Sequence, residues 1–149
     1  MTAAKRKISH GSDVPSPEYT LPWTAEQADV DEQGHISNVA YVRWIQEVAM
    51  AHSSARGFEP DAYRALGAVF VVRRHEVDYL RPAYAGDELE LSTRVLWWRA
   101  AQCERETRII RLRDQALIAQ GRTVWVYVST TSGKPRRIPK ELEAAFYAT

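Results

Sequence analysis

Between Val39 and Met50 the charged and amide side chains fall at Arg43, Gln46 and Glu47, an i, i+3, i+4 spacing. That spacing leaves one wet stripe on an otherwise apolar helix. The helix is expected to start at Ser37 or Asn38 and to run to Arg56, with Gly57 as its C-terminal cap. Pro60 to Leu66 reads as a short second helix or turn that Gly67 closes. From Ala68 the period changes from helical to two, which marks a switch to sheet. Val69, Val71, Arg73, His75, Val77 and Tyr79 would then share one face of a strand, which the proline and glycine of Arg81 to Asp87 break. A next strand alternates Leu89, Leu91, Thr93, Val95 and Trp97 against Glu88, Glu90, Ser92 and Arg94. A further strand over 102–113 turns at Asp114-Gln115 into one over 116–129. The interior Gly121 suggests a bulge or a close approach by the helix. Upstream, Tyr19, Leu21 and Trp23 alternate in a first strand read as Glu18 to Val30. Downstream, Pro139 suits the start of a short helix ending near Tyr147.

One long apolar helix followed by an antiparallel meander predicts an α+β domain in which the sheet covers the helix. The helix is apolar on most of its circumference, so a flat sheet would leave surface uncovered. A curled sheet or a second subunit resolves this. The 149 residues suffice for one domain, read as 18–149. Residues 1–17, with Lys5, Arg6 and Lys7 followed by Gly, Ser and Pro, read as a flexible arm.

Charge narrows the function classes. Twenty basic against nineteen acidic side chains give a net charge of +1, so no global field draws in nucleic acid or an anionic membrane. No apolar run approaches the roughly 18 residues of a membrane span. Arg73, Arg74, Arg81, Arg94, Arg99, Arg105 and Arg108 lie in or beside strands, where pairing with exposed cross-strand glutamates is the expectation for most. The single cysteine, Cys103, cannot form an intrachain disulfide and has no histidine near it in sequence. With no signal peptide recognised, a reducing cytoplasm is expected. Of the paired Trp97 and Trp98, one ring is expected in the core and the other at a subunit surface.

The candidate chemistry lies just ahead of the long helix. Asp29, Asp31, Gln33, His35, Ser37 and Asn38 crowd ionisable and polar groups into ten residues. A helix N-terminus presents unpaired amide hydrogens and partial positive charge, suited to polarising a carbonyl while a carboxylate acts as base or nucleophile. Asp31 serves that chemistry or caps a turn; His35 transfers a proton, orients substrate or caps; Asn38 binds substrate or caps the helix. His10, His35, His52 and His75 have no metal-ligand pairing, and no phosphate-binding or dinucleotide glycine fingerprint occurs. No metal or cofactor is implied.

Taken together, Asp29-x-Asp31-x-x-Gly34-His35-x-x-Asn38-x-x-Tyr41, Glu47 further along, Val77 to Pro82 with Gly86-Asp87-Glu88-Leu89, and Gly133 to Pro139 resemble the hotdog-fold thioesterases of the 4-hydroxybenzoyl-CoA thioesterase type. The resemblance covers nearly everything after Glu18. It implies a five-stranded antiparallel sheet, order 1-3-4-5-2, wrapped around the helix, and a homodimer or homotetramer whose sites lie between subunits. It also implies hydrolysis of an acyl-CoA or acyl-carrier-protein thioester. Asp31 would be the catalytic carboxylate, with His35 and Asn38 beside it and a helix amide near Asn38 polarising the carbonyl. Gln33, Gly34 and Tyr41 would contact substrate, and Val71 and Arg73 of the partner would complete the acyl pocket. Locally, Asp31, Gln33 and His35 also resemble the Asp-x-Asn-x-His arrangement of plant acyl-carrier-protein thioesterases, with glutamine in place of asparagine. The hydratase pattern Asp-x-Asn-Pro-x-His is absent, and a non-catalytic acyl-binding protein is the alternative of another class.

Overall fold

The computed structural model describes residues 12–148. Its long helix, α1 (Asn38–Ala55), buries Tyr41, Trp44, Ile45, Val48, Ala49 and His52; of the expected wet stripe Arg43 is exposed, while Gln46 and Glu47 are half-buried. Ser37 is the N-cap, its hydroxyl accepting the Val39 N–H at 3.2 Å. Asn38 is therefore the first helical residue and not the cap. A short α2 (Pro60–Leu66) ends on Gly67 in the left-handed conformation.

Strands β1 (Tyr19–Thr24), β2 (Ala68–Tyr79), β3 (Glu88–Arg99), β4 (Gln102–Arg111) and β5 (Ala116–Ser129) form one antiparallel sheet in the order β1-β3-β4-β5-β2. This is the order that the hotdog resemblance implies. The first strand is shorter than expected, because a 3-10 turn over Gln27–Asp29 ends it before Val30. Helix α3 (Lys140–Ala145) follows Pro139, with Leu142 and Phe146 in the core.

Helix and sheet meet at Gly121. A Cβ there would lie 2.9 Å from Ile45 Cδ1, closer than carbon atoms pack. Glycine lets the helix seat against β5, which is the close approach that its place in a strand suggested.

Of three register shifts in the sheet, one lies between β4 and β5 at Ile118 and two change how the sequence of β2 and β3 reads. Register slips at Arg73 in β2 and at Leu96 in β3, each carrying one extra residue. Past Arg73 the inward set is His75, Val77 and Tyr79, opposite Thr123, Gly121 and Ala119; before it, Phe70 and Val72 face inward, opposite Tyr127 and Trp125. Val69, Val71 and Arg73 thus do not share a face with His75, Val77 and Tyr79, as strict alternation expected. By the same slip Trp98, not Trp97, continues the buried row of Leu89, Leu91, Thr93 and Val95. Trp97 lies half-buried, donating to Glu104 at 2.9 Å under the Arg99 guanidinium.

Of the arm expected over residues 1–17, the first eleven lie outside the described residues. The remainder is held to the sheet: Ser16 N donates to Val95 O at 2.8 Å, and Trp98 N to Ser12 O at 2.8 Å. These bonds complete one edge of β3 beyond the end of β1.

Candidate active site

The acidic loop is built by its backbone. Val30 and Ile36 form an isolated antiparallel bridge. Inside it, Asp31 N donates to His35 O at 2.9 Å and Gly34 N to Asp31 O at 3.1 Å. Gly34 takes φ +88°, which a side chain would strain. Ser37 N donates to Asp29 O, and the Asp29 carboxylate pairs with Arg43 at 2.6 Å, tying the loop to the first turn of α1. Ile36 is buried and donates its N–H to Ala83 O at 2.8 Å. That acceptor is fixed by Tyr41, whose hydroxyl accepts the Ala83 N–H at 3.2 Å. Arg111, buried among Pro82 O, Asp87 and Asp114, pins the rest of the 80–87 turn. Its bond holds the Asp114 carboxyl down to about 2.

On this frame Asp31 and His35 stand side by side, each side chain one-third exposed, with Oδ2 and Nδ1 3.6 Å apart. The other Asp31 oxygen accepts the Gln33 N–H at 2.9 Å. Asp31 therefore fills the turn-capping role with Oδ1 and keeps Oδ2 toward His35 and solvent. Asn38 is exposed, and its backbone N–H makes no hydrogen bond among the described residues. Gln33 and Gly34 are exposed at the loop tip. The exposed Tyr84 ring meets His35 edge-on at 6.5 Å, an aromatic neighbour that the sequence reading did not single out.

Tyr41 is not at this surface. It is 2% exposed, packed edge-on against Trp44, and burial raises its hydroxyl pKa. It supports the loop through Ala83 instead of presenting itself to a ligand. Nor do Val71 and Arg73 meet Asp31 within one chain. Tyr79, which packs on Tyr41, lies eight residues beyond Val71 on β2, roughly 26 Å at 3.3 Å per residue. Cys103 is buried and its thiol is pushed up to about 12 by burial, so it is no nucleophile.

A thioesterase-like superfamily model matches residues 25–146. The chain belongs to that superfamily. Relatives agree. The chain is 28% identical over 118 residues to the acyl-CoA thioester hydrolase YbgC of Escherichia coli O6:H1, covering 79% of this chain and 87% of that one. The crystal structure of Slr0204, a 1,4-dihydroxy-2-naphthoyl-CoA thioesterase from Synechocystis, superposes with a TM-score of 0.80 at 18% identity over 87% of this chain and 96% of its own. SAV2348 of Staphylococcus aureus, solved in complex with CoA, superposes with a TM-score of 0.81 at 12% identity over 87% and 82%. These two likenesses confirm the hotdog architecture, and the protein is a thioester hydrolase of that fold.

The thioesterase also carries a cleft of about 790 Å³ beside α1, α2 and β2, which the sequence reading missed. Its walls include Met50, Phe58, Tyr63, Phe70 and Trp125. It wraps over the edge of β2, since outward Val71 and inward Phe70 and Val72 all border it. His75 lies within it, bonded through Nδ1 to Thr123 Oγ1 at 2.9 Å, and burial lowers its pKa. Behind the wall sits His52, wholly buried between the rings of Tyr19 and Phe146, with its pKa lowered by burial to about 3. Arg105 also borders the cleft and is 5% exposed. The expectation of exposed cross-strand pairing fails for it. The alternation of β4, with Cys103, Arg105, Thr107, Ile109 and Arg111 all inward, was the signal that would have found it.

Proposed function

We propose that the thioesterase hydrolyses acyl-CoA thioesters, with the Asp31 carboxylate as general base or nucleophile and the Asn38 amide receiving the carbonyl oxygen. What carries this reading is the pairing of a one-third-exposed carboxylate with an unbonded, exposed amide at the first residue of α1. The amide and the helix dipole stabilise the oxyanion as the tetrahedral intermediate forms. Asp31 either removes a proton from the attacking water or attacks directly to give a mixed anhydride that water then cleaves. In both routes the thiol leaves and a free acid remains. His35, beside Oδ2, is placed to pass a proton, and Gln33 and Gly34 form the rim that a thioester would cross.

The acyl chain is proposed to enter the cleft of a second copy. The cleft's lining on α1 runs from Gln46 to Ser54, eight to sixteen residues along the helix from Asn38, about 12 to 24 Å at 1.5 Å per residue, so its far end lies beyond the reach of a short substrate held at this chain's own Asn38. β2 is an edge strand with one row of backbone groups unpaired by the sheet. Two β2 edges joined antiparallel about a two-fold axis near His75 would set Val71 of one copy beside Tyr79 of the other. Tyr79 packs on Tyr41 under the Asp31 loop, so the partner's cleft would open next to this copy's carboxylate. Arg73, exposed at the bulge, would stand on that seam.

The test follows released thiol from short, long and aromatic acyl-CoAs with the unaltered protein and with Asp31→Asn. Asparagine keeps the acceptor for Gln33 N and removes the charge. Loss of turnover by about 10²-fold or more is expected for a missing base or nucleophile, with the fold intact. Undiminished turnover by folded Asp31→Asn would remove Asp31 from the reaction. If no acyl-CoA turns over, the same panel on acyl-carrier-protein thioesters would revise the thiol carrier.

A further inference from the structure

Among the described residues, Arg105 has no acid paired with it. It points inward from β4 and is 5% exposed, yet no carboxylate lies within 4.0 Å of it among the described residues. Its sequence neighbours Glu104 and Glu106 face the other side of the strand, against Arg122 and Arg94. One guanidinium nitrogen, Nη1, is used: it donates to His52 Nδ1 at 2.8 Å and to Thr93 Oγ1 at 3.3 Å. Both acceptors are neutral, since burial keeps His52 unprotonated. The Phe146 ring lies 5.6 Å from the guanidinium carbon. Nε and Nη2 have no hydrogen-bond partner among the described residues, and the residue borders the cleft.

A buried cation without a counter-ion destabilises a fold. Arg105 nevertheless keeps its charge at neutral pH, its pKa lowered by burial only to about 10. A second donor stands near it. Trp125 borders the same cleft, and its buried Nε1–H has no acceptor among the described residues. Trp125 pairs with Cys103 and Thr123 with Arg105, so Trp125 and Arg105 are diagonal neighbours on the inner face of adjacent strands. The cleft thus has largely apolar walls and, among the described residues, two lining side chains with donors that lack an acceptor, one of them charged.

We infer that this cleft selects an acyl group whose far end carries a carboxylate, with Arg105 and Trp125 as its recognition pair. This deepens the proposed function and rests on the cleft being the acyl pocket. An apolar chain fills the walls, and its terminal carboxylate supplies the missing counter-charge through charge-assisted bonds to the free guanidinium nitrogens. A methyl end would leave both donors unpaired, so discrimination follows from the group that the substrate lacks.

The experiment compares kcat/KM for ω-carboxyacyl-CoAs and for methyl-ended acyl-CoAs of the same length, from four to ten carbons, with the full chain. The unaltered protein is expected to favour the carboxyacyl member at its best length by at least tenfold. In Arg105→Gln that ratio should fall to near one, in Arg105→Lys it should survive in part, and Trp125→Phe should reduce it by severalfold. The ratio in the unaltered protein needs no variant, so a misfolding substitution does not stall the test. Equal or better turnover of methyl-ended chains by the unaltered protein would overturn the inference and leave Asp31 untouched. If no thioester turns over, the catalytic reading fails by itself and binding decides. Thioether analogues of the same chains should raise the melting temperature more with a carboxylate end than with a methyl end, and equal shifts would overturn the inference.

Discussion

The Asp31 loop and the Arg105 cleft hold their polar groups by opposite means. In the loop the scaffold is main chain: a bridge between Val30 and Ile36, two internal turns and a glycine at φ +88° leave the side chains of Asp31 and His35 one-third exposed. In the cleft the scaffold is side-chain packing, and the ionisable groups His52 and Arg105 are buried within it. A group held by backbone at a surface can be exchanged with little effect on folding. A group walled in by rings cannot, because the cavity, the desolvation and the unpaired partner all remain. The difference separates what chemistry uses from what stability feels.

The largest expected effect breaks the two apart. Asp31→Asn should abolish most turnover, about 10²-fold or more, while its melting temperature stays where the unaltered protein's is. A matching loss of stability would mean that the loop is structural after all. Within the packed region, Gly121→Val should do the reverse. Its side chain would meet Ile45 Cδ1 in a full core, and overpacking of this kind costs about 1–3 kcal/mol. Denaturant midpoints would register this, and adding Ile45→Val should recover part of it. No recovery would place the clash elsewhere.

Acid sharpens the comparison further. His52 has a folded-state pKa of about 3 against an ordinary value of 6.5, so below 6.5 the unfolded chain takes up a proton that the folded one refuses. Stability from this group is complete above about pH 6.5 and declines as the pH falls toward 3, by at most about 1.4 kcal/mol per pH unit. His52→Gln, which keeps an acceptor for Arg105, should flatten that slope in melting curves taken from pH 7 to 4. An unchanged slope would show that other groups set the acid limb. The smallest effect belongs to the loop side: Ser37→Ala removes the cap on Val39 N and should cost about 1 kcal/mol. It would also loosen the amide proposed to receive the oxyanion, so kcat should fall along with the melting temperature.

The strands themselves, the helix limits and the approach at Gly121 were legible because each leaves a periodic or compositional trace, whereas the strand order came only from the hotdog resemblance. Apolar spacing changes from 3.6 to 2 at Ala68, and a lone glycine interrupts β5. The loop stood out for a different reason, a concentration of polar residues before an apolar helix, and three of them, Asp29, Asp31 and Ser37, carry loop and cap bonds. Tyr41 misled, since a tyrosine one turn into a helix reads alike whether its hydroxyl meets a ligand or, as here, the Ala83 N–H. Trp97 and the Val69 to Arg73 face misled because a bulge adds one residue without changing local composition. Arg105 lay in plain alternation, but charge on a strand was read as surface. The cleft could not be seen, because Gln46, Phe58, Phe70 and Trp125 are brought together only by folding.

The extra residue at Arg73 acts on β2 as a parity bit acts on a message. Deleting it would shorten the chain by one residue, lose no packed side chain and leave every position on its side, since Val72 and Arg74 already oppose the adjacent Trp125 and Val124. The same strand paired without the bulge would instead send every position from Ala68 to Val72 to the other face. Phe70 and Val72 would turn outward while Val69 and Val71 swung in beside His75, and aromatic surface would spill onto the strand's outer face. A family comparison that aligns this strand by letters alone would miss such a flip, whereas one that tracks odd and even positions on either side of residue 73 would find it.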